Sequence, residues 1–307
     1  MSTALSEATL AIALQAWNLT EPVHLSPIPG GYTSNIWYVD TPGQRVVAKY
    51  VYDAQAAFDS GLRAAEVLAR VGVVCSAPIR TRSGELSLLV EGPHGRAEPL
   101  AVLHFVPGIP LESTDSAAPA LIGNFLGHMH TIWHRATDLE PPPDRIFAYI
   151  AEEAPEVAAQ PGLQTLVQQA IANVRAFEAT TPITYGVTIG DYMELLHDPA
   201  TGHVGLIDTG AVGWGPLLFD VAIMLGGFPP GERIGEQHEQ FLSAYLASAP
   251  IQPGELAGIR QYAALHWAQL AKYFAWRLAH DVKLGDADLD GNARSFAEIR
   301  AALESFL

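Results

Sequence analysis

The spacing of apolar positions changes near residue 107. Before that point, short apolar runs alternate with turn sequences, and Ile36–Val39 and Arg45–Val51 flank the turn Thr41–Gln44, which predicts a β-hairpin. Helical spacing in this part is confined to residues 4–18 and to Gly61–Val71. Three more strands are predicted at Ile79–Arg82, Leu86–Val90 and Ala101–Phe105. The first third of the chain therefore predicts a small antiparallel sheet.

Beyond residue 107 the apolar residues recur at helical spacing. Ala117–His134 has this pattern, and long helical patterns return over residues 149–178 and 234–279. A hairpin-like segment, Glu194–Asp208, interrupts them and turns at Pro199–Gly202. A sheet-rich part followed by a helix-rich part predicts an α+β protein with two lobes. We place the N-terminal lobe with its hinge at residues 1–106 and the C-terminal lobe at residues 107–307.

The composition narrows the class of protein without identifying it. Hydrophobic residues make up 49% of the 307 residues, enough for a large core. The formal net charge of −16 disfavours nucleic acid and anionic membranes as partners and suits a cationic or neutral small molecule. A single cysteine, Cys75, leaves no pair for an internal disulfide. The first residues lack a basic stretch, and no uncharged apolar run reaches about 18 residues. We therefore expect a cytoplasmic protein without a signal peptide or membrane span.

Several residues are of types that bind phosphate or metal. Gly30 and Gly31 lie between predicted strands and suit a backbone loop that points N–H groups at phosphate, although a plain hairpin turn has the same composition. Lys49 stands in an apolar strand, where a charge is costly unless it pairs with an anion, and Glu66 on the next helix is a candidate partner. The alternative is a lysine that reaches solvent and a surface glutamate. Asp208 ends a short apolar run, where a carboxylate can hold a metal ion against phosphate.

The order of these segments resembles that of one family. GGYTSN, VVAK, the helical glutamate, LHFVPGIPL, GNFLGHMHTIWH and LIDTGAVGWGPLLFDVA follow one another as in the aminoglycoside phosphotransferase/choline kinase family. The resemblance extends from about residue 25 to about residue 228. It implies a protein-kinase-like fold, in which a small antiparallel N-terminal lobe binds nucleotide and a larger, mostly helical C-terminal lobe binds the acceptor.

The resemblance also implies roles for residues of the N-terminal lobe. Lys49 matches the phosphate-binding lysine and Glu66 its helical partner, a pair that holds the α and β phosphates of ATP in protein kinases. Ala101–Val106 matches the hinge, where backbone groups of His104 and Val106 would bind adenine.

Two aspartates complete the implied machinery. Asp208 matches the family's magnesium-binding aspartate, and Asp220, in GPLLFDVA, matches a buried aspartate that would bind backbone N–H groups of the catalytic loop. The implied cofactors are ATP and Mg²⁺, with GTP in place of ATP left open, and the implied partner is a small-molecule acceptor.

The catalytic loop departs from the family's HGDxxxxN signature. The family's asparagine lies about fourteen positions before the magnesium aspartate, where this chain has Glu194, and Ile189 stands five positions earlier in place of the catalytic aspartate. Isoleucine can neither accept a proton nor orient a hydroxyl. Gly190-Asp191 repeats the family's Gly-Asp pair, and Asp191 lies three positions before Glu194. In a shortened loop, Asp191 would be the catalytic aspartate and Glu194 the second metal ligand.

This loop leaves two hypotheses for the function. The first is an ATP-dependent phosphotransferase that transfers the γ-phosphate to a hydroxyl of an aminoglycoside-, choline- or sugar-like molecule. The alternative is a nucleotide-binding pseudokinase or a kinase-like protein with other chemistry. Phosphoryl transfer relies mostly on positioning and charge neutralisation, and a general base contributes about 10²–10⁴-fold. We therefore favour the phosphotransferase, since a displaced base would slow the reaction without abolishing it.

Other side chains allow a functional and a structural interpretation. His130 and His134 are four residues apart on a predicted helix and could share a metal ion, but helix packing or capping is the simpler expectation. The aromatic residues between 267 and 276 could form a stacking wall for the acceptor, while core packing explains them equally well.

Overall fold

The computed structural model describes residues 5–19, 24–29, 34–52, 54–92, 95–111, 115–140, 142–226, 234–280 and 289–307. These residues form two compact units. The first contains the described residues of 1–110 and 194–211, and the second contains those of 111–193, 212–280 and 289–307. Antiparallel strands dominate the first unit and helices the second, so the predicted α+β class is confirmed.

A sheet of antiparallel strands forms the first unit's centre. Its strands are β1 (His24–Ile28), β2 (Ser34–Asp40), β3 (Arg45–Val51), β4 (Pro78–Ile79), β5 (Leu88–Glu91) and β6 (Ala97–His104). Their order is β1-β2-β3-β6-β4, and β5 also pairs with β6. The predicted hairpin is β2–β3, in which Ile36 lies opposite Lys49.

Helices cover the two faces of this sheet. Helix α1 (Glu7–Leu14) and the 3-10 turn Gln15–Trp17 pack on one face, where Ala48 and Tyr50 point. Helix α2 (Gln55–Arg70) packs on the other face, against Val51 and its neighbours. Because successive strand residues alternate between faces, Lys49 lies on the face of the sheet that α2 covers.

A second, three-stranded sheet belongs to the first unit as well. It consists of β7 (Ile109–Pro110), β9 (Glu194–His197) and β10 (Val204–Ile207), in the order β10-β9-β7. The chain that follows α2 holds β10, since the Leu206 N–H donates to Val74 and the Leu206 carbonyl accepts from Ser76. Residues 194–211 thus group with the first unit by their contacts. The division at residues 106 and 107 into a nucleotide lobe and an acceptor lobe concerns function and stays a prediction.

The second unit is mostly helical. Its helices are α3 (Ala118–Arg135), α4 (Ile146–Ala151), α5 (Pro155–Ala158), α6 (Leu163–Glu178), α7 (Leu217–Gly226), α8 (Ile234–Leu246), α9 (Ile259–Ala279) and α10 (Leu289–Phe306). A two-stranded sheet of β8 (Tyr185–Thr188) and β11 (Gly213–Pro216) accompanies them. None of the helices in the described residues is both long and apolar enough to cross a membrane.

The two long helical patterns predicted from the sequence are each interrupted. Residues 149–178 contribute to three helices, because Pro155 and Pro161 lack the N–H that a continuous helix needs. Residues 234–279 form α8 and α9, which the 3-10 turn Pro253–Gly258 separates. Apolar spacing located these segments, and proline chemistry set where their helices begin and end.

Candidate functional site

An ion pair joins two of the predicted site residues in the first unit. Nζ of Lys49 lies 2.7 Å from Oδ2 of Asp208. The Lys49 side chain is 8% exposed, whereas that of Asp208 is 44% exposed, so the carboxylate remains open to a ligand. Burial alone would raise the pKa of Asp208, but the charge and hydrogen bond of Lys49, with the N–H of Gly210, lower it below its ordinary value. Asp208 is therefore held as an anion.

The backbone at Asp208 forms a tight turn. Its φ of 57° lies in the left-handed region, which is uncommon for a residue other than glycine and best tolerated by asparagine and aspartate. The Gly210 N–H donates to Oδ1 of Asp208 at 2.9 Å. Because Lys49 binds the other oxygen, both carboxylate oxygens are oriented by neighbouring groups.

A second carboxylate lies at the same end of the β9–β10 hairpin. Glu194 is the first residue of β9 and pairs with Ile207, the residue before Asp208. The described residues contain no group of three or more acidic, histidine or cysteine side chains that could hold a metal. Proteins bind Mg²⁺ through one or two carboxylates while water and substrate phosphates fill the remaining positions, and a Mg²⁺ site at Glu194 and Asp208 stays a prediction.

The predicted ion pair between Lys49 and Glu66 is absent from the structure. Oε1 and Oε2 of Glu66 accept from Nε and Nη2 of Arg80 at 2.8 and 2.6 Å. The planar guanidinium matches both oxygens of a carboxylate, which a lysine ammonium cannot do. Lys49 pairs with Asp208 instead. The expectation that Glu66 contacts Lys49 is therefore corrected for this structure, and a role of either residue in nucleotide binding stays a prediction.

The remaining nucleotide-site predictions differ in how far the structure describes them. Gly30 and Gly31 lie outside the described residues. His104 ends β6, and its N–H donates to the Ala77 carbonyl at 2.9 Å, so this donor is already used. Val106 follows the strand, and within the described part of the chain no hydrogen bond is formed by its N–H or carbonyl. Of the two hinge residues, Val106 has the backbone groups that could bind an adenine edge.

The atypical loop in the second unit is held by a buried aspartate. The carboxylate of Asp220 accepts from the N–H groups of Ile189 at 2.7 Å and Gly190 at 3.0 Å. The predicted contact between Asp220 and the backbone of this loop is thus confirmed. Ile189 is buried at 1% exposure, whereas Asp191 is exposed and its Oδ1 accepts from the Tyr192 N–H at 2.7 Å. The loop therefore buries its isoleucine and presents an aspartate to solvent.

His130 completes the support of this loop, a contact that the sequence did not reveal. Its Nε2 lies 2.9 Å from Oδ2 of Asp220, and its Nδ1 lies 3.0 Å from the hydroxyl of Tyr245. Burial and the charge of Asp220 raise the pKa of Tyr245, which keeps its hydroxyl protonated. The hydroxyl can then donate to Nδ1, and Nε2–H to the carboxylate. The signal in the sequence was a histidine on an apolar helix face. Such a histidine does not reveal which residues of α7 and α8 it contacts.

The chain is similar to one protein family and to several solved structures. The model of the phosphotransferase enzyme family, APH, matches residues 24–265. No curated protein matches the chain by sequence. Among solved structures, the amicoumacin kinase hAmiN in complex with AMP-PNP, Ca²⁺ and Ami is 17% identical, with a TM-score of 0.73 over 93% of this chain and 89% of that one.

Two further solved structures are similar to the chain. A microcompartment-associated aminopropanol kinase is 14% identical, with a TM-score of 0.70 and coverage of 96% and 95% of the two chains. Choline kinase LicA from Streptococcus pneumoniae is 15% identical, with a TM-score of 0.67 and coverage of 98% and 100%. These likenesses confirm the predicted kinase-like fold. The family model spans most of the length of this chain. The chain therefore belongs to the phosphotransferase enzyme family.

Proposed function

We propose that the protein is an ATP-dependent small-molecule kinase that transfers the γ-phosphate of ATP to a hydroxyl group. The observation that carries this proposal is the arrangement at the end of the β9–β10 hairpin. Glu194 lies opposite Ile207, the residue before Asp208, and Lys49 contacts Asp208 at 2.7 Å. A lysine paired with one carboxylate, and a second carboxylate at the same end of the hairpin, supply the charges that a metal–triphosphate complex needs, because the lysine can stabilise phosphate oxygens and the carboxylates can bind the metal.

Each residue of this set has a separate role in the proposal. Lys49 would move from the Asp208 carboxylate to the phosphates, and Glu66 would then orient it. Asp208 and Glu194 would hold Mg²⁺, which neutralises the charge on the transferred phosphate when bound. The open N–H and carbonyl of Val106 would bind the adenine edge, with His104 beside them. Gly30 and Gly31 would cover the phosphates with backbone N–H groups.

The acceptor would be oriented by Asp191. Its carboxylate is exposed on a loop whose backbone N–H groups at Ile189 and Gly190 donate to Asp220. An exposed carboxylate can accept the hydrogen bond of an acceptor hydroxyl and so orient its oxygen. The proteins of similar fold are named for amicoumacin, aminopropanol and choline, and two of the structures contain AMP-PNP with Ca²⁺ or AMP. We therefore place the acceptor among aminoglycoside-, choline- or sugar-like molecules.

Calorimetric titration with Mg-ATP tests the nucleotide part of the proposal. We expect saturable binding to the wild-type protein and loss of its Mg²⁺-dependent part in Asp208→Asn. Asparagine is the suitable replacement, because it tolerates the left-handed backbone while removing the charge. An absence of binding to folded wild-type protein at millimolar Mg-ATP would refute both the kinase and any nucleotide-binding role.

The second candidate is a nucleotide-binding protein without phosphoryl transfer. The buried Ile189 favours it, because this residue stands where the family has its catalytic aspartate. Asp191→Ala separates the two candidates. If Asp191 orients the acceptor, the variant keeps its ATP affinity while turnover falls by about 10²–10⁴-fold. Equal turnover of wild type and variant, measured on acceptor or on water, would reject this role.

A further inference from the structure

Helix α2 approaches the turn that carries Asp208 closely. A Cβ atom on Gly61 would lie 3.0 Å from the carbonyl carbon of Thr209 and closer still to the carbonyl oxygen. Real Cβ atoms essentially never come that close to another heavy atom. Thr209 follows Asp208 directly in the chain. No side chain larger than hydrogen fits at residue 61 unless the helix or the turn moves.

Glycine at residue 61 is unfavourable for the helix, and the contact with Thr209 explains why glycine is nevertheless present. Gly61 lies inside a 16-residue helix, where glycine is about 1 kcal/mol less favourable than alanine. Replacing an exposed glycine of this kind by alanine would stabilise a helix. At Gly61 the gain in helix propensity is opposed by the backbone of Thr209, so glycine is required for packing rather than for a special backbone angle.

A second attachment holds the same hairpin close to the end of α2. Strand β10 pairs with the segment after the helix through the hydrogen bonds of Leu206 to Val74 and Ser76, at 3.0 and 2.9 Å. The contact at Gly61 lies further towards the N-terminus of α2 and touches the turn itself. The strand is thus fixed by hydrogen bonds, while the position of the turn depends on how closely α2 approaches.

We propose that Gly61 is a positioning residue for Asp208. By letting α2 rest on the Thr209 carbonyl, it sets the left-handed turn that points the Asp208 carboxylate at Lys49. A methyl group at residue 61 would displace the turn by a distance on the order of 1 Å. A misplacement of this size can lower the catalytic rate by about 10²-fold. The effect on metal and nucleotide rests on the proposed function, whereas the effect on the Lys49–Asp208 pair does not.

Gly123 offers a matched control in the second unit. It lies inside α3, and a Cβ atom there would also be 3.0 Å from a carbonyl carbon, that of Phe241, and closer to its oxygen. Gly61→Ala and Gly123→Ala therefore introduce the same clash in two helices. Gly123 belongs to the second unit and the Asp208 turn to the first, so Gly123→Ala reports the general effect of such a clash on stability.

The test is the rate at which acetic anhydride acetylates Lys49 in the absence of nucleotide, followed by peptide mass spectrometry. Asp208→Asn, which removes the partner of the ammonium, defines the rate for a broken pair. We expect this rate to exceed that of the wild type by about two- to fivefold, the factor of a partly exposed ion pair. Gly61→Ala should match Asp208→Asn, and Gly123→Ala should match the wild type although its thermal stability falls.

Acetylation of Lys49 at the wild-type rate in folded Gly61→Ala would overturn the proposal. If that variant does not fold, the double variant Gly61→Ala/Thr209→Gly decides, because a glycine at residue 209 lets the turn yield to the new methyl group. We expect fast acetylation in the double variant and the wild-type rate in Thr209→Gly alone. Wild-type rates in both would again contradict the proposal.

Binding of AMP-PNP with and without Mg²⁺ separates this proposal from the function proposed above. Gly61→Ala should lose most of the Mg²⁺-dependent affinity and keep the Mg²⁺-independent part. If the wild type shows no Mg²⁺-dependent binding, the proposed function fails, while the acetylation rates still decide the role of Gly61.

Discussion

The burial of His266 links the stability of the protein to pH. This side chain lies on α9 with its ring 6.1 Å from that of Phe219, and no hydrogen bond to Nδ1 is found within the described residues. Burial lowers the pKa of His266 to about 4, against a smaller opposing contribution from Gln269. The folded protein therefore keeps this imidazole neutral down to about pH 4, whereas the unfolded chain protonates it near its ordinary pKa of 6.5.

We expect stability to fall as the pH decreases from about 6.5 to about 4, because the unfolded state then binds a proton that the folded state excludes. At about pH 4, His266 alone lowers the free energy of unfolding by roughly 3 kcal/mol. Urea unfolding of His266→Phe at several pH values measures it, since the variant lacks that part of the slope. His203→Gln, at an exposed histidine, should retain the wild-type slope, and a variant slope equal to the wild type would contradict the prediction.

Glu66 on helix α2 has two possible partners, Arg80 and Lys49. In the structure Arg80 binds both oxygens of its carboxylate, whereas the proposed function requires Glu66 to orient Lys49 when nucleotide binds. Glu66→Gln and Arg80→Gln break the same ion pair, which contributes at most about 1 kcal/mol, and Arg80→Gln also loses the hydrogen bond that Nη1 donates to the Gly84 carbonyl. Only Glu66→Gln removes the carboxylate that the proposed function pairs with Lys49.

We therefore expect Glu66→Gln to weaken Mg-ATP binding by about two- to fivefold, and Arg80→Gln to leave it unchanged or to strengthen it. Isothermal titration of both variants measures the difference. Equal losses of affinity in the two would mean that Glu66 acts only through Arg80, and the role in nucleotide binding would be abandoned.

Helix α1 and the turn that follows it stabilise the first unit from the other face of the sheet. Trp17 is buried, and its Nε1–H donates to the Ile79 carbonyl at 2.6 Å. We expect Trp17→Ala to reduce the free energy of unfolding by about 3–5 kcal/mol. Ile12→Ala, on the preceding helix α1 but 69% exposed, should change it by no more than about 0.5 kcal/mol. Urea unfolding of both variants decides, and similar losses would mean that α1 does not pack as described.

At the scale of the whole molecule, the net charge of −16 opposes compaction by self-repulsion. Raising the ionic strength from about 0.01 M to about 0.1 M shortens the screening length from about 30 Å to about 10 Å. We expect the thermal midpoint to rise by a few degrees over this range, equally in NaCl and KCl, because screening depends on ionic strength. A constant or falling midpoint would show that self-repulsion does not significantly destabilise the folded protein.

The fold and the site differ in how much of each was predictable from sequence. Strand alternation and helical spacing identified β2, β3 and α3, because these signals reside in neighbouring residues. The order of motifs gave the family, which the family model confirms over residues 24–265. The division of the later helices was not predicted, since single prolines divide a continuous apolar pattern.

By itself, then, the sequence determined the α+β class, the family and the residue types at the candidate site. The tertiary structure decided which of these residues meet. Lys49 pairs with Asp208 and Glu66 with Arg80, because ion pairs between distant segments depend on how strands and helices pack. The same reason hides the contact of Gly61 with the Asp208 turn, since spacing along a chain records which face a residue occupies and not what lies opposite it.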